Sequence, residues 1–300
     1  MNRRRQFQRP FGIDPFAAFL CAFAAVSSVA AVIPASDQSP AAKGCGIVRF
    51  ALCQTPSGAF SSKDSIDAIF EWTRAQLSGD EDVVVFPELA FSRFSEQAEA
   101  WRDAPAVWIR TAAFAREQRA FVIVNHPSRS EGEPPRIYSE TRVFSPSGTV
   151  VAVYRKRNLA EMDLANGFSP GDAPVVAELP FARLGLMVCK DAFFPGDCNQ
   201  PGDFSTADAL IVQFAHPGVD DRNAPEAANF ANVEKERNRM RSTRIDWVDL
   251  HKPYCGVNRA GPDGNYRLVG GTFAASASGR IVAGLDDTPG VLVVDLTLPR

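Results

Sequence analysis

Three side chains of complementary chemistry stand at the ends of apolar runs in this 300-residue sequence: the Glu88 carboxylate, the Lys156 ammonium and the Cys189 thiol. Glu88 closes Val83-Val84-Val85-Phe86-Pro87, Lys156 follows Val151-Ala152-Val153-Tyr154, and Cys189 follows the run from Leu184 to Val188. A thiol is a poor nucleophile until its proton is removed, so it needs a base or a positive neighbour. Histidine is the usual base, but His126, His216 and His251 stand in no recognisable catalytic signature. A carboxylate partly desolvated at a sheet rim acquires the raised pKa that a base near neutrality requires, which makes Glu88 the candidate. Lys156 is the group to hold a thiolate and to stabilise an oxyanion as a carbonyl is attacked. Each group alone has an ordinary structural explanation: a strand-end acid, a solvated lysine within Arg155-Lys156-Arg157, a buried inert cysteine. Together they make a kit for covalent catalysis by cysteine.

The elements that must carry these groups alternate between strand and helix. Ile47 to Leu52 reads as a strand, and Ser62 to Leu77 places Ile66, Ile69, Phe70, Thr73 and Leu77 on one helical face before Gly79. Asp82 to Phe86 and Phe121 to Asn125 are apolar runs of the length and type expected in a buried sheet. Between them a helix at about Ala106 to Gln118 is expected to turn Trp108, Ala112 and Ala115 inward. Thr141 to Phe144, Ser145-Pro146-Ser147-Gly148 and Val150 to Tyr154 form a hairpin signal. Further strands are predicted at Ala182–Val188, Ala209–Phe214, Tyr254–Asn258, Thr272–Ala275, Arg280–Ala283 and Val291–Leu296, with a largely exposed helix over Asn229–Arg244. Gly261-Pro262-Asp263-Gly264-Asn265 reads as a turn and nothing more. The pattern predicts one layered α/β domain with helices covering a sheet.

In order and spacing, three blocks resemble the signatures of the carbon–nitrogen hydrolase (nitrilase) superfamily. They are Phe86-Pro87-Glu88-Leu89, Tyr154-Arg155-Lys156 with Asn158-Leu159, and Cys189-Lys190-Asp191 with Phe194-Pro195. Ser169-Pro170-Gly171 resembles the turn before the nucleophile strand of that family. Asn258-Arg259-Ala260-Gly261 and Gly270-Gly271-Thr272-Phe273 resemble two of its late segments. The resemblance implies a four-layer αββα sandwich, a Glu–Lys–Cys triad of Glu88, Lys156 and Cys189, and no metal or organic cofactor. Cys189 would attack an amide carbonyl or nitrile carbon and Glu88 would take its proton. Lys156 would stabilise the intermediate together with the backbone N–H of Lys190. Many members carry a second Glu after the lysine; here Leu164-Ala165-Asn166-Gly167 stands in that stretch, and the nearby acids are Glu161 and Asp163. The Lys190 side chain is expected in solvent, with selection of an acidic substrate as the alternative, and His216 is either a substrate contact or a structural histidine.

These readings point to a hydrolase of linear amides that releases ammonia or an amine. The alternatives are a nitrilase on the same triad and a binding or scaffold protein with weak turnover. The implied partners are a small amide or nitrile and further copies of the chain, as a homodimer or larger homo-oligomer. A net charge of −3 and the absence of a basic, aromatic-rich patch argue against nucleic acid.

The N-terminus stands apart. Arg3, Arg4, Arg5 and Arg9 precede an apolar run from Pro15 to Ala35. That is the pattern of an export signal, with cleavage after Ala31 or Ala35, or of an uncleaved anchor over 15–35. The expected organisation is thus a signal or anchor over 1–35, a short linker over 36–45 and the hydrolase domain over 46–300. The location is periplasmic or extracellular, and the membrane is a partner only if the segment stays uncleaved. Beyond Cys21 the odd number of cysteines (Cys45, Cys53, Cys189, Cys198, Cys255) predicts at least one free thiol.

Overall fold

The structure, a computed structural model, describes residues 29–32, 45–58, 63–94, 97–193, 204–219 and 226–299. Most of the expected signal and linker lies outside the described residues, as do Phe194, Pro195 and Cys198.

Continuous apolar runs at the sheet centres, such as 83–85 and 184–188, have become strands buried on both faces. Among the described residues the first sheet has seven strands: β1 (Val29–Val32), β2 (Cys45–Gln54), β3 (Val83–Val85), β4 (Phe121–Arg129), β5 (Ile137–Phe144), β6 (Val150–Arg155) and β16 (Gly290–Pro299). They are ordered β1-β16-β2-β3-β4-β5-β6. The second sheet is built from β7 (Val175–Glu178), β8 (Arg183–Val188), β9 (Ala209–Gln213), β11 (Tyr254–Val257), β14 (Phe273–Ala275) and β15 (Ile281–Gly284). Its order is β15-β14-β11-β9-β8-β7. A small third sheet, β10-β13-β12, joins β10 (Pro217–Val219), β12 (Ala260–Asp263) and β13 (Tyr266–Val269).

Side-chain alternation along each strand separates the layers. Phe50, Leu52, Val83, Val85 and Ile123 face Leu184, Leu186, Val188, Ile211 and Val257 across the space between the two large sheets. Their neighbours Ala51, Cys53, Val84, Val122 and Val124 point the other way, onto α1 (Lys63–Arg74) and α2 (Ala104–Gln118). There Phe70, Phe86, Phe91 and Phe114 interlock, with ring centroids 4.7 Å apart for Phe70 and Phe114. On the far side Met187, Leu210, Val212, Tyr254 and Phe273 pack with Met240 of α4 (Glu226–Ser242) and with Trp247. Helices thus cover both outer faces of a sheet pair, the αββα sandwich. Full burial of each such side chain contributes about 1.5–3 kcal/mol.

Several expectations are corrected. In α2 the buried stripe is Val107, Thr111, Phe114 and Ala115; Trp108 and Ala112 are half-buried at its edge. The Arg142 guanidinium lies 4.4 Å from the Trp108 ring centre, so a rim position keeps that indole useful. The segment 261–265 is not an idle turn but the tip of the β12–β13 hairpin, with Asp263 at 1% exposure. Helix α4 is polar, yet it buries Val233, Arg237 and Met240 along one side. A short helix with no periodic signal in the sequence, α3 (Glu161–Ala165), follows Lys156. Cys53 and Cys255 are buried free thiols.

Strand β11 shows how tightly the second sheet is closed. A Cβ built on Gly256 would stand 2.3 Å from the ring of Phe273, its cross-strand partner. Gly256→Ala is therefore expected to cost about 1–3 kcal/mol of stability through overpacking, read as a lower midpoint in chemical denaturation. An unchanged midpoint would show that Phe273 can move aside.

Candidate active site

The three groups singled out by chemistry converge where strands of both sheets end. Glu88 leaves β3 through Phe86-Pro87. Phe86 keeps one more ladder bond, its N–H donating to Ile123 O at 2.9 Å, and its own carbonyl accepts from Gln213 Nε2 at 2.6 Å. Leu89 then takes φ +55°, in the left-handed region that a branched residue adopts only when held, and its N–H donates to Asn125 Oδ1 at 3.2 Å. The turn aims Glu88, 3% exposed, back into the protein.

Lys156 follows β6 and is pinned by its backbone: its N–H donates to Ser139 O and its carbonyl accepts from Gly171 N, both at 2.9 Å. Gly171 belongs to Ser169-Pro170-Gly171, and a Cβ there would meet Arg155 O at 2.3 Å. Close backbone approach explains that glycine. The Lys156 ammonium, 2% exposed, lies 2.7 Å from Glu88 Oε1 and 2.8 Å from Asp163 Oδ2. Asp163, on α3, also accepts from its helix-start residue, Ala160 N, at 2.7 Å. Glu161 is exposed, and of the two candidates for the second acid it is Asp163 that meets the lysine. Two residues apart on one helix, they point to nearly opposite sides, which no motif could foretell.

Cys189 opens a 3-10 turn (Cys189–Ala192) directly after β8, and its φ is +44°. Asp191 holds this elbow. It accepts from Val188 N at 2.9 Å, Asn158 N at 2.8 Å and the Tyr154 hydroxyl at 2.6 Å. One fully buried carboxylate therefore ties the Cys189 strand of the second sheet to the Lys156 strand of the first. The link between Glu88 and Cys189 is completed by Ala215, whose N–H donates to Glu88 Oε2 at 3.1 Å and also favours the Cys189 thiolate.

Burial and charge act together here. Burial pushes Glu88 above the usual carboxylate range against the pull of Lys156, with Asp163 adding to the rise. Burial opposes the charge of Lys156, but Glu88, Asp163 and Cys189 more than offset it, and the ammonium keeps its proton well above its usual range. Cys189 is pushed up by burial and by Glu88, with Lys156 opposing. The site thus rests with a neutral thiol, a carboxyl group able to accept a proton and a permanent cation between two acids.

The remaining candidates sit at the margin. Lys190 does not simply extend into solvent: its ammonium donates to Leu159 O at 2.9 Å. His216 is 9% exposed and spends its polar groups internally, with N–H to Asn258 Oδ1 at 3.0 Å and Nε2 against Glu236 Oε2 at 3.2 Å. Its ring lies over Phe193 at 5.4 Å, which fits a structural histidine beside the site. Asn125, Gln213, Asp191 and Ala215 were missed as supporting groups; only Asp191, inside Cys-Lys-Asp, had a sequence signal.

A family model described as carbon-nitrogen hydrolase matches residues 49–300. Among curated proteins the chain is 23% identical over 229 residues to a hydrolase of Schizosaccharomyces pombe, covering 72% of this chain and 66%, just under two thirds, of that protein. It is 27% identical over 266 residues to the deaminated glutathione amidase of Yersinia enterocolitica, covering 82% and 85% of the two chains. Among solved structures it superposes with a TM-score of 0.67 and 22% identity on a mutant amidase from Nesterenkonia sp. AN1, over 86% of this chain and 94% of that one. That amidase shows covalent addition of the acetamide moiety of fluoroacetamide at its active-site cysteine. With the family model spanning nearly all of the described fold, this chain belongs to the carbon–nitrogen hydrolase family.

Proposed function

We propose that this protein hydrolyses a linear amide through a Cys189 acyl-enzyme, with Glu88 as general base and acid and Lys156 as the electrostatic stabiliser. The observation that carries the reading is the buried Glu88–Lys156–Asp163 chain beside a thiol on a strained elbow. The thiol is not a standing thiolate, so its proton passes to Glu88 as Sγ bonds to the carbonyl carbon and the electron pair of the C=O moves onto oxygen. Lys156, together with the N–H of Lys190, faces that oxyanion. Collapse of the tetrahedral intermediate breaks the C–N bond, and Glu88 returns the proton to the departing amine. Water, deprotonated by Glu88, then attacks the thioester and releases a carboxylic acid and the free thiol. Amidase relatives support amides over nitriles, and the covalent adduct at the active-site cysteine of the Nesterenkonia protein supports a cysteine nucleophile.

Ammonia release from a panel of primary amides and nitriles tests this directly. Activity on amides that falls by roughly 10³-fold or more in Cys189→Ala is the expected result. Turnover of nitriles alone would replace the amidase reading with a nitrilase, and amide turnover surviving in Cys189→Ala would end the acyl-enzyme.

Asp163 fixes the direction of the Lys156 ammonium, so Asp163→Asn should lower kcat about 10- to 100-fold while Glu161→Gln changes little. Equal effects from the two variants would remove the positioning role.

The basic and apolar N-terminus leads us to infer export with removal of the leader, and with it of the β1 edge strand, while the family resemblance leads us to infer a homodimer. Intact and native mass of the protein recovered from the exported fraction should show a start after Ala31 or Ala35 and twice the chain mass. A start at Met1, or a monomer, would correct the corresponding half of that reading.

A further inference from the structure

Helix α4 is fastened to the second sheet by Met240, within the far apolar cluster, and by Arg237, whose Nε donates to Val269 O at 3.0 Å. The backbone of His216 is fastened independently: its N–H donates to Asn258 Oδ1 at 3.0 Å and its carbonyl accepts from Val269 N at 3.2 Å. Neither needs the pair that joins them, His216 Nε2 against Glu236 Oε2 at 3.2 Å, with the same oxygen accepting from Arg239 Nη1 at 3.4 Å. Burial holds His216 below its ordinary pKa although Glu236 opposes this, so near neutral pH the ring is uncharged and donates through Nε2–H. A half-buried carboxylate facing a neutral ring gives up water for that hydrogen bond, and an apolar pair would fill the space as well. What the polar pair adds is direction.

That direction bears on the elbow of Cys189. Phe193 closes the elbow, its N–H donating to Lys190 O at 3.1 Å, and it packs against the same apolar cluster as Cys189. Its ring centre lies 5.4 Å from that of His216, tilted by 31°, and 5.5 Å from the Arg239 guanidinium. Phe214 meets the same ring edge-on at 6.1 Å. Phe214 and His216 flank Ala215, whose N–H donates to Glu88 Oε2 at 3.1 Å. One ring at the end of the elbow is thus gripped by both neighbours of the residue that serves the candidate base, and by the helix that carries Glu236 and Arg239.

We propose that Glu236 is a positioning residue for the acyl-transfer site: by orienting the His216 ring and, through Arg239, the Phe193 ring, it holds the Ala215 N–H on Glu88 in register with the Cys189 elbow. This rests on Cys189 being the nucleophile and Glu88 its base. Transfer of the thiol proton to a carboxylate is sensitive to displacement of either partner, and a shift of about 1 Å can cost on the order of 100-fold in rate. Phe193 ties the two sides together, and Glu236 gives the tie its direction. Glu236 touches no reacting atom; it acts through His216, Phe193 and Ala215.

The test is the rate at which iodoacetamide alkylates the Cys189 peptide at neutral pH, read by mass spectrometry in wild type, Glu236→Leu, Glu236→Gln and Glu88→Gln, with folding checked by circular dichroism. Cys53 and Cys255, buried free thiols, report opening of the fold in the same digests. Glu236→Leu should slow Cys189 roughly 10-fold while Cys53 and Cys255 stay unreactive. Glu236→Gln keeps an oxygen for the His216 N–H and should restore most of the wild-type rate. In folded Glu236→Leu an unchanged or faster Cys189, or new reactivity at Cys53 and Cys255, overturns the inference, as does an equal loss in Glu236→Gln. If Glu236→Leu does not fold, Glu236→Asp decides, since one methylene less draws its oxygens back from the ring. Slower Cys189 with the other two thiols silent then supports the inference, and any other result overturns it. Glu88→Gln separates the two levels. A slowed Glu88→Gln beside an unmoved Glu236→Leu ends the inference alone, whereas an unslowed Glu88→Gln removes the base and the inference together.

Discussion

An ammonium ion almost sealed from water governs the arrangement of this site. Taking such a charge out of water costs several kcal/mol, and only close opposite charges offset that. Lys156 finds Glu88 and Asp163 within hydrogen-bond distance, and those partners come from different parts of the chain. Glu88 arrives from the end of β3 and Asp163 from α3, so both segments must close over the lysine for the fold to be stable. The charge that the proposed chemistry uses is therefore also a requirement on assembly. Neither carboxylate is free to drift, because losing either leaves a buried cation under-compensated.

Two left-handed residues turn chain ends into tools. Leu89 at φ +55° and Cys189 at φ +44° each reverse a backbone that has just left a strand. Such conformations persist only where the surroundings over-determine them. Here Asn125 holds the first and Asp191 the second, while Gln213 of the second sheet reaches Phe86 O of the first. Thr141 donates to Gln213 Oε1 at 2.6 Å and completes a polar bridge through an otherwise apolar space. No side-chain nitrogen or oxygen of Asn125, Thr141 or Gln213 is left without a hydrogen-bond partner, which is what allows the bridge to be buried.

Much of this was legible in the sequence, for definite reasons. Valine-rich runs such as 83–85 and 121–124 announce buried strands, and a charged or nucleophilic residue just beyond each run marks the rim. That is why Glu88, Lys156 and Cys189 could be named together. In helix α2 Ala115 faces inward as expected, but the rest of the buried stripe runs one position earlier, through Val107, Thr111 and Phe114, with Trp108 at the rim beneath Arg142. The choice between Glu161 and Asp163 depended on a five-residue helix whose short pattern carries no periodicity. Asp263 lay in a Gly-Pro-Asp-Gly string that reads as a solvent turn, and only tertiary closure against Ser57 and Phe94 made it an interior acid. Long-range pairing of this kind leaves no local trace.

The bond between the Tyr154 hydroxyl and Asp191 spans the two large sheets, and so does the chemistry. Glu88 and Lys156 ride on one sheet while Cys189 and Ala215 ride on the other. The gap between the proposed nucleophile and its proposed base is therefore a caliper reading of the core beneath them. Residues such as Leu52, Ile123, Leu186 and Ile211 set its opening without approaching the substrate. Interior substitutions that thin or thicken this layer by a fraction of an ångström would register first as altered turnover, in protein that still melts normally.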